Sequence, residues 1–150
     1  MSSISEALAT SLTGASSFAQ SLFAEDSWTA TQVADFVNER RNATIATTNA
    51  KGQPHAGVVI AASIDDGIYF TVALQSVLAR NLAGNARIAF TICDSAHAVM
   101  GQGAAVRVGS ALEVQTLIDD LATASAAGRF TPDGWDGDIY QIDIRRIFAN

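Results

Sequence analysis

Two turn signatures, Asn49-Ala50-Lys51-Gly52 and Asp65-Asp66-Gly67, cut the stretch from Ala43 to Val72 into three strand-length runs. That punctuation constrains the fold more than any other feature of the chain. Thr44, Ile45, Thr47 and Thr48 are β-branched and suit a pleated surface, while the turn residues tolerate tight reversal. Runs joined this closely pair antiparallel, because a parallel neighbour needs a crossover of roughly a dozen residues or more. The expected strands are 43–48, 55–63 and 68–72, a meander.

The pattern continues with expected strands at 88–93, 99–108 and 138–148, six in all. Leu74, Val77, Leu78 and Leu82 switch to helical spacing, so a short helix is expected over 74–82 with Gly84 as its left-handed C-terminal residue. Thr29 and Gln32 form a capping-box pattern before Val33, Phe36, Val37 and Arg40, which predicts a helix from 30 to about 41. Ser110 with Glu113 repeats that pattern before a stripe of Val114, Ile118, Leu121, Ala122 and Ser125 that runs to Gly128. Residues 129–137, with Pro132 and Trp135, read as a loop. Ile4, Leu8, Leu12 and Ala15, extended by Phe18, Leu22 and Phe23, predict an amphipathic helical arm. Strands that do not alternate strictly with helices point to a mostly β fold, a small antiparallel β-barrel with helical covers. The expected organisation is an arm over 1–28 and a barrel domain over 29–150.

Composition narrows the function classes. The chain is 49% apolar and 16% charged, which excludes disorder and suggests a face buried by self-association. A net charge of -6 opposes phosphate-backbone binding, so nucleic acid is not an expected partner. The single cysteine, Cys93, permits no intramolecular disulfide, and as the end of an apolar strand it reads as a small buried hydrophobe. The first residues lack a basic region followed by an apolar one, and no run reaches about eighteen apolar residues, so a cytoplasmic protein without a membrane partner is expected.

Familiar catalytic patterns fail. Gly101 and Gly103 begin a G-x-G-x-x-G match, but Val106 takes the third place and the following residues read as strand, where the dinucleotide loop must open a helix. The chain has neither a phosphate loop nor a nucleophile elbow, and His55 and His97 are too far apart for a local metal motif. No hydrolase or metal signature survives, so no metal site is expected and the sequence leaves the catalytic residues open. Asp65 and Asp66 are expected as turn residues, and His97 as a solvated loop residue.

Four words in order carry a resemblance: Arg40-Arg41-Asn42-Ala43-Thr44-Ile45-Ala46-Thr47; Gly52-Gln53-Pro54-His55; Gly67-Ile68-Tyr69-Phe70-Thr71; and Arg80-Asn81-Leu82 followed by Asn85-Ala86-Arg87-Ile88. From Glu39 to Val108 the chain resembles the pyridoxamine 5'-phosphate oxidase-like, FMN-binding split-barrel superfamily. The resemblance implies a homodimer of split barrels with cofactor sites at the interface. A flavin ring would lie along the second strand near Val58, Val59, Ile60 and Ala61, and its phosphate would meet Thr71, Ser76, Arg80 and Asn81. Gln102, Gly103 and Arg107 would face the cofactor from the neighbouring subunit, with Trp28 and Trp135 as candidate lids; by residue pattern alone, Arg107 alternates with Val106 and Val108 and reads equally as pointing to water, and each tryptophan reads as ordinary packing. The family usually has a lysine where this chain has Leu78, and a proline in place of the Asn85-Ala86-Arg87 arrangement. The chain ends at Asn150 after the sixth strand, so vitamin B6 oxidation is not expected. What the resemblance implies is a flavoprotein oxidoreductase in which bound FMN, or a deazaflavin relative, exchanges a hydride with a small organic substrate. The alternatives are a non-catalytic flavin- or haem-binding module and a structural dimer with a degenerate site.

Overall fold

A computed structural model describes residues 1–23 and 27–150. The chain runs through α1 (Ile4–Ser11), α2 (Ser17–Phe23), α3 (Ala30–Arg40), β1 (Asn42–Thr48), β2 (Pro54–Ile64), β3 (Gly67–Val72), α4 (Val77–Gly84), β4 (Arg87–Cys93), β5 (Ala98–Ser110), α5 (Gln115–Ala124) and β6 (Asp138–Ala149). The strands close into one antiparallel barrel in the order β1-β2-β3-β6-β5-β4, the mostly β, split-barrel architecture expected. Closure removes sheet edges that would otherwise template aggregation. The last join is short: β4 meets β1 only at Thr44↔Thr91, Ile45↔Phe90 and Ala46↔Ala89.

Period-two alternation fills the interior. Ile45, Ile68, Phe70, Phe90, Ile92 and Ile144 point inward and are fully buried. The β2–β3 turn works because Asp65 and Asp66 have φ of 50° and 63°, as a two-residue hairpin with positive φ at both central positions requires. The same turn docks α1, since the Asp66 carbonyl accepts from Ile4 N–H at 2.9 Å and its carboxylate from Ser5 N–H. Beside the barrel, Ala62 of β2 joins Ile118, Leu121, Phe130 and Ile139 in a second, smaller core under α5. Ala61, Ala62 and Ser63 are therefore buried in succession, because α3 and α5 both pack on that end of β2. Asn38 of α3 completes the cover: its amide donates to Ser63 O at 2.9 Å and accepts from Ser63 N–H at 2.7 Å.

Several boundaries differ from expectation. α3 opens on the Thr29–Gln32 capping box as predicted, with Arg41 in the left-handed region at its end. α4 begins at Val77, not Leu74, because the Ser76 side chain accepts from Ala79 N–H and caps it; Leu74 is 52% exposed. Gly84 is the last helical residue, and Asn85 turns the chain into extended backbone instead of a left-handed glycine. Ser110 and Glu113 do exchange hydrogen bonds, but around a turn; α5 starts at Gln115 without a side-chain cap and ends at Ala124, short of Gly128. The N-terminal stripe divides into α1 and α2, with Phe18 exposed; the side chains of Leu22 and Phe23 lie outside the described residues. Ile4 and Ala7 of α1 belong to the barrel's own core. Cys93 is exposed, since as the last residue of β4 it falls on the outward phase of the alternation.

Gly101 and Gly103 have a structural reason. A Cβ at Gly101 would meet the Arg146 carbonyl oxygen and the Phe90 ring, and one at Gly103 the Asp143 carbonyl oxygen. At this close approach the β5–β6 register shifts, pairing Gln102 with Arg146 and Gly103 with Ile144. Arg145 is left as the extra residue of a β-bulge. Among the described residues no helix is long and apolar enough to cross a membrane.

Candidate functional site

The barrel is split along β2. Its far half pairs with β3 from Ala61↔Phe70 to Ile64↔Gly67, but residues 54–60 pair only with β1. Ala61 N–H donates to Arg41 O at 2.9 Å, so the alternation of an antiparallel ladder turns the backbone groups of Val59 and Gly57 towards β1. The N–H and C=O groups of Val58 and Ala56 face the other way, where β3 does not reach. α4 stands across this gap in place of a strand.

The gap is a groove of about 380 Å³. Its lining includes Val58, Val59, Ile60, Thr71 and Ser76, which brings together five of the residues named from sequence. Trp135 and Pro132 form its far wall, and the Trp135 ring lies over Gly137 where no Cβ would fit. The walls are mainly apolar, and Val58 is 74% exposed. Thr71 is buried on β3. The Ser76 hydroxyl is occupied by its cap, donating to Ala73 O at 2.7 Å as well as accepting from Ala79 N–H.

His55 and Val77 also border a second concavity of about 710 Å³ that Arg80 and Asn81 line, so the two adjoin at these residues. Arg80 is exposed and makes no ion pair with a described residue. Asn81 is buried and its amide donates to the Thr47 hydroxyl at 3.0 Å, an anchor between α4 and β1. Leu78 is 4% exposed and packs in the main core while bordering the groove, so its position offers no charge there. His55 lies over Gly57, and its Nδ1 is buried without a hydrogen-bond partner, a condition that costs about 1–3 kcal/mol if nothing satisfies it. Sequence reading missed His55 as a site residue, although the Gly52-Gln53-Pro54-His55 word contains it.

The remaining named residues lie elsewhere in this chain. Ala61 points into the core. Gln102 is on the outer face of β5, in a concavity of about 750 Å³ with Arg87 and Arg145. Arg107 is paired with Asp138 at 3.0 Å. Trp28 packs on Phe36 and His97, with ring centroids 5.1 Å apart in each case. Asp143 has its carboxyl held below the usual carboxylate range, first by the Ser2 N–H and further by Arg145. Among the described residues no cluster of three metal-ligating side chains occurs. A groove with a free strand edge, apolar walls and a cation at one end suits a flat ring carrying an anionic tail.

The sequence profile described as Pyridoxamine 5'-phosphate oxidase matches residues 29–148, most of the chain. No curated protein matches. Among solved structures, the conserved hypothetical protein Rv2991 from Mycobacterium tuberculosis is similar with a TM-score of 0.64 and 24% identity, over 81% of this chain and 84% of that one. HutZ, the heme storage protein from Vibrio cholerae, is similar with a TM-score of 0.63 and 15% identity, over 79% and 92%. A heme binding protein from Mycobacterium smegmatis reaches 0.57 at 19% identity, over 78% of this chain and 56% of that one. At these identities the likeness is one of fold.

Proposed function

The chain belongs to the pyridoxamine 5'-phosphate oxidase family, and from that premise we propose that it is a flavin-binding oxidoreductase acting on a small organic substrate. The observation that carries this reading is the unpaired edge of β2 at Val58 and Ala56, with Val58 in a groove that adjoins, at His55 and Val77, the concavity lined by Arg80. Backbone donors and acceptors there suit the pyrimidine edge of a flavin, and Val59, Ile60 and Trp135 supply apolar walls. When bound, such a cofactor supplies hydride transfer; the protein's part is to bind, orient and exclude water.

The residues at the anionic end fit a phosphate through Arg80 and the first N–H groups of α4, at Val77 and Leu78, which have no intrahelical partner. With Leu78 in the core, one guanidinium carries most of that end, and the expected FMN affinity is modest. Deazaflavin is the second cofactor to test. Val58, 74% exposed in the groove's lining, is left uncovered by the described residues, and a second copy in a homodimer would cover it. An exposed free thiol at Cys93 suits a reducing cytosol.

Haem binding is a second reading, favoured by one observation. His55 borders both concavities, and imidazole is a common axial ligand. Two proteins of similar fold are described as a heme storage protein and a heme binding protein. Titrating the protein with FMN, a deazaflavin and haem separates the readings by visible spectrum. A flavin spectrum reducible by a nicotinamide donor supports the oxidoreductase. A Soret band lost in His55→Ala supports haem. Binding of none overturns both.

A further inference from the structure

We propose that the outer face of β4 and β5 carries a second anion subsite, formed by Arg87 and Arg145, for a phosphate or carboxylate group. The subsite rests on the groove reading only for its role, as the place where the far end of the groove's ligand is held.

The bulge makes the subsite. In a regular strand the residues after Ile144 would alternate out and in, but the extra residue leaves both Arg145 and Arg146 exposed between the buried Ile144 and Ile147. Bulges re-aim side chains in this way. Gly101 and Gly103 permit the close approach, since a Cβ at either would strike the β6 backbone. The G-x-G pattern that serves no dinucleotide loop therefore serves to display arginine.

Arg145 is oriented, not loose. Its Nε and Nη2 donate to Asp143 Oδ2, each at 3.2 Å, while Oδ1 of the same carboxylate accepts from Ser2 N–H at 2.8 Å. A guanidinium has five N–H donors, so this contact leaves others free to meet a ligand. Arg87 borders the same concavity and makes no ion pair with a described residue. Gln102, Asn85 and Thr48 add polar groups to the lining, which contains no Asp or Glu. Asp143 offsets the charge of Arg145, and Arg87, with no ion pair to a described residue, leaves the concavity net positive in a chain of net charge -6.

The subsite also adjoins the groove. Pro54, at the start of β2, borders both this concavity and the one that holds Arg80. A ligand can thus run from the free edge of β2 past Arg80 and around Pro54 to Arg87 and Arg145. Guanidinium groups recognise phosphate and carboxylate alike, so the two chemistries are separated by experiment.

The test uses the full chain without cofactor, titrated with inorganic pyrophosphate and separately with citrate, while the arginine Nε–Hε signals are followed by NMR. Saturable shifts at Arg87 and Arg145 with at least one probe are expected, and the stronger probe identifies the chemistry. Arg87→Gln and Arg145→Gln should each weaken that binding about tenfold or more, with the titration of the remaining arginine reporting it. Absence of shifts with both probes, shifts confined to Arg80, or Gln variants that bind like the parent would overturn the subsite. Because no cofactor is present, failure of FMN to bind leaves this result standing, and the reverse also holds.

Discussion

The two halves of β2 are one strand, yet the near half pairs with β1 and the far half with β3, and they live in opposite environments. The far half is pinned by β3, by the Asn38 amide and by two cores that bury Ala61, Ala62 and Ser63 in succession. The near half has one paired edge, a bare one at Val58 and Ala56, and a side chain at Val58 that is mostly in water. The difference teaches that stability and binding are spent on separate stretches of one strand. A segment held from all sides has no hydrogen-bonding capacity left for a ligand, and a segment that keeps such capacity must be fixed by its rigid continuation.

The division can be broken most forcefully at the pinned end. Ile139→Ala, in the small core against Ala62, should cost about 2–5 kcal/mol, read as a lowered urea midpoint. The open end should respond in affinity alone. Arg80→Ala should weaken FMN binding by about tenfold to a hundredfold, the worth of one charge-assisted contact, while unfolding free energy stays within about 0.5 kcal/mol of the parent. Asn38→Ala sharpens the comparison, because it unpairs Ser63 without touching a core: a loss of about 1–3 kcal/mol is expected in denaturant unfolding. Val58→Ala should shift stability by no more than about 0.5 kcal/mol, and an equal cost at both halves would abolish the distinction.

The smallest effect is a pH effect outside the strand. The Asp143 carboxyl is lowered in the folded state, so its contribution is present above the unfolded value of about 3.9 and is lost as pH falls through the lower folded value. The protection factor of the Ser2 amide, its exchange relative to the intrinsic rate, should therefore fall on acidification below about pH 4, and Asp143→Asn should blunt that dependence.

The fold was legible where local rules agree. Turn residues, β-branched alternation and the Thr29–Gln32 box act within a few residues, and each led to an element that forms. Errors arose where two local signals competed. Leu74 continued a helical stripe, but Ser76 two residues later caps the helix and leaves Leu74 outside. Ser110 and Glu113 pair as a capping box does, around a turn that precedes α5. The grouping of Val58, Val59, Ile60, Thr71 and Ser76 followed from a resemblance, and they do line one groove. The stranded nitrogen of His55 and the bulge at Arg145 were not legible, because each depends on neighbours distant in sequence: α4 and its flanks for the first, β5 opposite β6 for the second.

The join between β4 and β1 carries a consequence for how the cylinder comes apart. It is held by three residue pairs, whereas β5 and β6 run together from Val99↔Ala149 to Ser110↔Asp138. Unzipping that brief seam turns the tube into an open six-stranded ribbon with two sticky margins, at the cost of very few ladder bonds. Strand exchange between chains and the first steps of clumping under heat both start from such a ribbon, so the amides of Thr44–Ala46 and Ala89–Thr91 are where it will first be seen.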